Sequence, residues 1–232
     1  HKGIGGVDRR YSADRIIAAL QHHTPDIVFL QEIVEGVPRS GNHRQVDLFA
    51  EALELPHRAY QPNVKLRRGT YGNAILSRYP LSGVHDIELT IPLKKRRRAL
   101  AAHCQLEGAG GHSHKLLLIN AHLGLAGFER SIQIRRILTS DVLQSIHHQT
   151  AVIVAGDMND VWHGQGRRLF VPAGFTSATG AVRTFPAFLP LRALDRIYYR
   201  GRVELHAAHA SRTAVARRAS DHLPLVAEFE MK

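Results

Sequence analysis

The sequence predicts an α/β sandwich of mixed sheets with helices on the outside. Three observations predict it: strands dominate, many are joined by short turns, and two amphipathic helices sit beside strands at crossover length. The late strands have no helices between them, so an all-parallel doubly wound sheet fits less well. The chain of 232 residues has the length of one domain with ample material for a two-layer core. No repeat or linker divides it, and a single domain over 1–232 is expected.

The elements follow in order. Ser12 is placed to cap a first helix from Ala13 to His23, with Ile16, Ile17 and Leu20 at helical spacing and Asp14 in the first turn, where the helix dipole favours an anion. Pro25 stops it, and Asp26-Ile27-Val28-Phe29-Leu30 reads as a strand buried on both faces. Val46, Leu48, Phe49 and Leu53 share one face of a second helix, Gln45 to Leu53. A polar stretch then leads to strands at Asn73 to Ser77, closed by Tyr79-Pro80, and at Arg98 to Leu106. A strongly apolar strand, Lys115 to Leu123, contains Asn120-Ala121-His122 near its end. The longest helix is expected from Ala126 to His148, with Ile134, Ile137, Leu138, Val142, Ser145 and Ile146 turned inward and Arg130, Arg135, Arg136 and Asp141 on the other face. The strand Ala151 to Ala155, an irregular Gly/Arg-rich segment, and strands near Leu194 to Arg200, Val203 to His209 and Leu223 to Met231 complete the chain.

Composition narrows the function. Hydrophobic residues make up 44% and charged residues 22%, and no window approaches the roughly 18 consecutive apolar residues of a membrane span. A soluble, monomeric protein without a transmembrane segment is expected. The first residues show no signal-peptide pattern, but the sequence opens on His1 rather than Met, so targeting is not readable from it and the compartment is left unknown, with the cytoplasm favoured. Cys104 is the only cysteine, so an internal disulfide and a thiolate zinc cluster are excluded and a packed core thiol is expected. The formal charge of +11 would concentrate polyanions such as nucleic acid, anionic lipid headgroups or phosphorylated metabolites. Arginine outnumbers lysine about four to one, and a coding bias explains such an excess equally well.

Three short motifs, far apart, place acids, an amide or an imidazole beside apolar runs: Gln31-Glu32, Gly156-Asp157-Met158-Asn159 and Ser220-Asp221-His222. Carboxylates at strand ends are poor packing material and good metal and proton-transfer material. Glu32, Asp157 and Asn159 offer hard oxygens, which suit Mg2+, Mn2+ or Ca2+ rather than zinc. His122 and His222 supply imidazoles of near-neutral intrinsic pKa, and Asp195 or Asp221 could orient one of them. Singly, each has a plainer reading. A lone Gly-Asp-Met-Asn starts turns, and a lone His122 on an apolar strand is more often a core histidine. Lys94 to Arg98 is read as a solvated hairpin tip or as an anion-binding edge that Arg67 and Arg68 extend; Asn73 either holds a substrate phosphate or closes a turn. Trp162 packs as core as readily as it lines a substrate, and Arg183-Thr184-Phe185-Pro186 is read as positioning backbone.

Six blocks in order resemble the endonuclease/exonuclease/phosphatase superfamily, also called deoxyribonuclease I-like. They are Gln31-Glu32, Tyr71-Gly72-Asn73-Ala74-Ile75-Leu76-Ser77-Arg78, Asn120-Ala121-His122-Leu123, Gly156-Asp157-Met158-Asn159, Leu194-Asp195-Arg196-Ile197 and Ser220-Asp221-His222-Leu223-Pro224. The opening His1-Lys2-Gly3 is similar to a bacterial branch. The resemblance implies a four-layer α/β sandwich, two mixed sheets face to face with outer helices, and a Mg2+-dependent phosphoester hydrolase using in-line attack by water. It implies Glu32 as a metal ligand with Asp221 near the metal, and Asp157 with Asn159 positioning water and phosphate. His222 would stand beside the scissile phosphate, as base or as transition-state stabiliser with the base favoured, oriented by Asp195. His122 matches the second catalytic histidine of the deoxyribonuclease-like and sphingomyelinase-like branches, and Asn73 and Arg68 would contact substrate phosphate. Family members open with a core strand ending in an asparagine, which would lie upstream of His1.

Nucleic acid is the favoured substrate on charge, ahead of phospholipid, a small phosphoester or a blocked DNA end. A neutral lipid headgroup would require exposed apolar loops, and the sequence displays none of sufficient size. A non-catalytic polyanion-binding module is the rival; it has no use for Glu32, Asp157, Asn159, Asp195, Asp221 and His222 together.

Overall fold

The computed structural model describes residues 8, 10–107, 113–162 and 164–232; the His1-Lys2-Gly3 opening lies outside them. The elements are α1 (Ala13–Gln21), β1 (Ile27–Glu35), α2 (Gln45–Ala52), β2 (His57–Lys65), β3 (Thr70–Ser77), β4 (Leu81–Glu88), β5 (Arg98–Glu107), β6 (Ser113–His122), α3 (Gly127–Leu138), α4 (Asp141–Gln144), β7 (Ala151–Asp157), α5 (Gly164–Phe170), β8 (Thr176–Ser177), β9 (Asp195–Arg200), β10 (Val203–Ala210), α6 (Ala216–Ala219) and β11 (Leu225–Met231).

They stack in four layers, as the family resemblance implies. A six-stranded sheet, order β4-β5-β6-β7-β9-β8, is mixed because β6 and β7 run parallel while its other pairs are antiparallel. Facing it are the antiparallel sheet β1-β3-β2 and the antiparallel pair β10-β11. Between the sheets lies a core that joins Phe29 and Ile75 to Leu100, Leu118 and Ile197, with Leu225 and Phe229 from β11 packed against it. On the outer face of the six-stranded sheet, α3, α4 and α5 bury Ile134, Ile137, Leu143 and Phe170. On the other side, α1 and α2 cover Val28, Ala74 and Leu76. β1 is therefore packed on both faces.

Polar side chains tie the two sheet layers together at one end. Asn120, fully buried, donates to the carbonyls of Leu30 (2.9 Å) and Ala74 (2.8 Å) while accepting from Gln31 Nε2 at 2.7 Å. Asn73 donates to the Arg98 carbonyl at 3.0 Å and to Gln61 Oε1 at 3.4 Å. Each satisfies backbone groups that would otherwise be stranded away from water.

Several expectations need correction. The single helix Ala126 to His148 is two, because Ser140 adopts extended backbone (φ −68°, ψ 143°) and its hydroxyl donates to the Ile137 carbonyl at 2.7 Å, competing with helix continuation. Ser145 is exposed rather than inward. The polar stretch before Asn73 contains β2, whose inward positions include Gln61 and Asn63 and so lack apolar alternation. β4 is an edge strand, largely exposed, and the Gly/Arg-rich segment contains α5.

Candidate active site

The register of the six-stranded sheet assembles the site. His122 at the end of β6 pairs with Asp157 at the end of β7, which pairs with Asp195 at the start of β9. Three motifs distant in sequence thus become neighbours on one sandwich edge.

Gly156 makes the close approach. Its φ is +137°, and a Cβ there would lie 2.0 Å from the Ala121 carbonyl oxygen, so only glycine lets β7 carry Asp157 against β6. Asn159, with φ +50°, turns the chain back. Its backbone N–H donates to Asp157 Oδ1 at 3.0 Å and its side-chain amide to the Leu123 carbonyl at 2.9 Å. This is an Asx turn, the plain reading of Gly-Asp-Met-Asn, but it leaves Asp157 Oδ2 facing His122 Nε2 at 3.3 Å.

His222 Nδ1 lies 2.8 Å from Asp195 Oδ2, and the Thr184 hydroxyl donates to the same oxygen. The Phe185 ring packs on the imidazole with centroids 4.9 Å apart. The segment read as positioning backbone therefore braces the pair on two sides, and the Leu223 N–H donates to the Thr184 carbonyl at 2.8 Å. Asp221 lies beside it, its carboxylate accepting from the Ser220 hydroxyl at 3.3 Å.

Glu32 sits at a bulge in β1 between Leu30 and Ile33, with φ +59°. A non-glycine residue in this conformation is uncommon and worth attention at a site. The Tyr71 hydroxyl donates to its Oε1 at 2.8 Å, and Lys95 Nζ stands 5.0 Å above the Tyr71 ring.

Electrostatics divide these groups. Burial opposes charge on His222, yet the Asp195 carboxylate, through charge and hydrogen bond, outweighs it, aided by Asp157 and Asp221, and the imidazole is raised to about 9. His122 moves the other way, held well below its ordinary value by burial and by the Arg97 cation. Burial, then the neighbouring Asp195 charge, push the Asp157 carboxyl up. One histidine is thus held protonated and the other neutral beside a carboxylate of raised basicity.

Arg97 is the residue that sequence reading missed. It belongs to the run read as a solvated tip, but only 7% of its surface is exposed, and its charge acts on Tyr71, His122 and Asp157. The available signal was its position just before the apolar strand β5. Two expected substrate residues do not stand in the site in the same way. Asn73 is 1% exposed, and its amide nitrogen donates between the sheets to Gln61 Oε1 and the Arg98 carbonyl. Arg68 is exposed in the turn between β2 and β3, at the edge that carries Tyr71. Trp162, allowed as core, is 89% exposed.

A cation would find one side here built from hard oxygen. Among the described residues no three His, Cys, Asp or Glu side chains gather as a ligand cluster. The carboxylates of Glu32, Asp157 and Asp221 are hard oxygen donors, the chemistry that suits Mg2+, Mn2+ or Ca2+ rather than zinc.

Comparison with known proteins agrees with this fold. The model of the Endonuclease/Exonuclease/phosphatase family matches residues 4–222. The uncharacterized protein YbhP of Escherichia coli (strain K12) is 30% identical, with 100% of this chain and 93% of YbhP covered. An endonuclease/exonuclease/phosphatase structure from Beutenbergia cavernae superposes with TM-score 0.79 at 21% identity, covering 99% of this chain and 69% of that one. A mannosyl-6-phosphatase from Bacteroides thetaiotaomicron superposes with TM-score 0.72 at 16% identity, covering 97% and 91%. Humanized D. rerio TDP2 superposes with TM-score 0.71 at 21% identity, covering 94% and 91%.

Proposed function

The chain belongs to the endonuclease/exonuclease/phosphatase family, and on that premise we propose that it is a Mg2+-dependent phosphodiesterase, acting as a single domain and a monomer. The observation that carries the reading is the meeting of the His222–Asp195 and His122–Asp157 pairs on one edge, beside the Tyr71-held Glu32. Glu32 and Asp221 would hold the cation. When bound, it neutralises charge on the phosphate and leaving oxygens.

The chain's own residues account for the protons. A water oxygen bonds to phosphorus in line as the opposite phosphorus–oxygen bond breaks. Asp157, raised by burial and by Asp195, accepts the proton of that water, and Asn159 keeps the carboxylate oriented through its N–H. His122, neutral, holds the second Asp157 oxygen. His222, protonated at neutral pH, balances charge at the phosphate and donates to the leaving oxygen. Its raised value supports this role over that of the base. Arg97 adds a buried positive charge for the anionic substrate.

The sign of the pH dependence follows. His222 is charged below about 9, so turnover of a soluble diester falls as pH rises through about 9, and His222→Gln loses that alkaline limb. A wild-type rate that climbs through the same range contradicts His222 as the acid.

Substrate class has two supported readings. The +11 charge supports nucleic acid, including a blocked DNA end, and D. rerio TDP2, which shares the fold, is seen complexed with a single-strand DNA product. Exposed apolar residues around the site support an anionic phospholipid. A panel of DNA, RNA, anionic phospholipid vesicles, inositol phosphates and mannose phosphate, with Asp157→Ala as blank, tests the reading. Metal-dependent turnover of a diester is expected. Polyanion binding without turnover of anything would make the chain a non-catalytic module.

A further inference from the structure

We propose that the active-site edge is a membrane-docking surface for anionic phospholipid bilayers, and that the diester cleaved there is a phospholipid headgroup bond. The second half rests on the phosphodiesterase reading; the docking stands without it.

Exposed large apolar residues collect on the loops of this edge. Leu93, at the tip of the β4–β5 turn, is fully exposed, and its φ is +63°. A leucine in left-handed backbone that buries nothing costs free energy in the isolated fold. The turn is fastened to the site on both sides: Lys95 stands over the ring of Tyr71, while Lys94 lies 5.5 Å from the Phe128 ring centroid and 3.3 Å from Glu129. Next to it, the loop after β6 exposes Leu125, and α3 exposes Phe128. Beyond Asn159, the loop after β7 exposes Trp162. Opposite, the loop carrying Phe185 exposes Phe188, Leu189 and Leu191, and is held to the site by the Ala187 N–H donating to the Asp221 carbonyl at 2.7 Å. Four of the loops that frame the catalytic groups therefore carry exposed apolar side chains, which corrects the expectation that the chain displays no apolar loops of sufficient size.

Cations accompany the apolar residues. Lys94, Lys95 and Arg96 follow Leu93 directly, all exposed, and Arg67 and Arg68 are exposed on the adjacent turn. A cleft of about 600 Å3 beside Trp162 is lined by Arg167 and Arg168. Apolar tips with flanking Lys and Arg are the pattern that inserts at the headgroup boundary of an anionic leaflet.

Single-stranded nucleic acid would meet the same charges but requires aromatic faces for its bases. Phe128, Trp162 and Phe188 offer such faces, but the other four of the seven exposed residues named here, Leu93, Leu125, Leu189 and Leu191, do not. The composition therefore favours lipid.

Sedimentation with vesicles of phosphatidylcholine, with and without phosphatidylglycerol, tests docking. The wild type and Asp157→Ala are expected to partition together onto the anionic vesicles, and Leu93→Asp with Trp162→Asp to lower that partition about tenfold or more. Both substitutions are on exposed loops, so turnover of a soluble diester stays at the wild-type level. Absence of wild-type partition, or equal partition of the rim variant, overturns docking. Loss of single-stranded DNA binding by the rim variant with vesicle binding intact also overturns it, in favour of nucleic acid. Docking with hydrolysis of DNA but not of the vesicle lipid overturns the substrate half. Docking without hydrolysis even of the soluble diester strikes the phosphodiesterase reading and leaves docking in place.

Discussion

His222→Ala lowers turnover of a soluble phosphodiester by about three orders of magnitude, and Asp195→Asn costs roughly a hundredfold or more, within the range for loss of a positioned acid and its partner. The double variant loses little beyond His222→Ala alone. The reason is geometric: Asp195 Oδ2 lies 2.8 Å from His222 Nδ1, so the carboxylate acts through the imidazole, raising it and fixing the ring. Groups that act as one unit are strongly non-additive. Steady-state kinetics on the two single variants and the double variant check this. Losses that multiply would show that Asp195 and His222 work separately. Thr184→Val, which removes the hydroxyl that donates to Asp195, should shift the alkaline limb rather than abolish turnover.

Gly156→Ala is expected to destabilise the fold by more than about 3 kcal/mol, the sum of strained backbone and a forced contact. A Cβ at Gly156 meets the Ala121 carbonyl oxygen at 2.0 Å, and φ is +137°; Ala121 is its register partner in β6. Separating the two strands there moves Asp157 away from His122. At about 2–4 °C per kcal/mol for a chain of this size, the melting temperature falls by roughly 10 °C. Thermal unfolding measures it, and Gly164→Ala is the control, because a Cβ at Gly164 meets nothing within 4 Å. Equal melting temperatures for the two variants would mean that β6 and β7 tolerate spreading at the site.

Much of this site was legible in sequence because its acids stand where apolar strands end. A carboxylate after Ala151 to Ala155, or between Leu194 and Tyr199, has no packing role, and the sheet register confirms that such ends are neighbours. The failures have local causes. β2 points Gln61 and Asn63 inward, so its period-two signal vanishes. β4 is an edge strand and carries little apolar alternation. Ser140 ended a helix that the hydrophobic stripe alone would have continued, since periodicity does not register a serine's competing hydrogen bond. Arg97 was hidden in a basic run, four of whose members have larger exposure; which one turned inward depended on the Tyr71 and His122 side chains it faces. Asn73 illustrates the opposite limit, because a buried amide that ties two sheets together and a phosphate-binding amide look the same in the sequence.

The central claim is metal-dependent diester hydrolysis at this edge. The most direct measurement is turnover of bis(4-nitrophenyl) phosphate by the wild type during Mg2+ titration, chelation and Mg2+ re-addition, with Asp157→Ala in parallel. The expected result is turnover that rises saturably with Mg2+, vanishes with chelator, returns on re-addition, and is absent throughout in Asp157→Ala. Turnover indifferent to chelator, or equal in the two proteins, would contradict it.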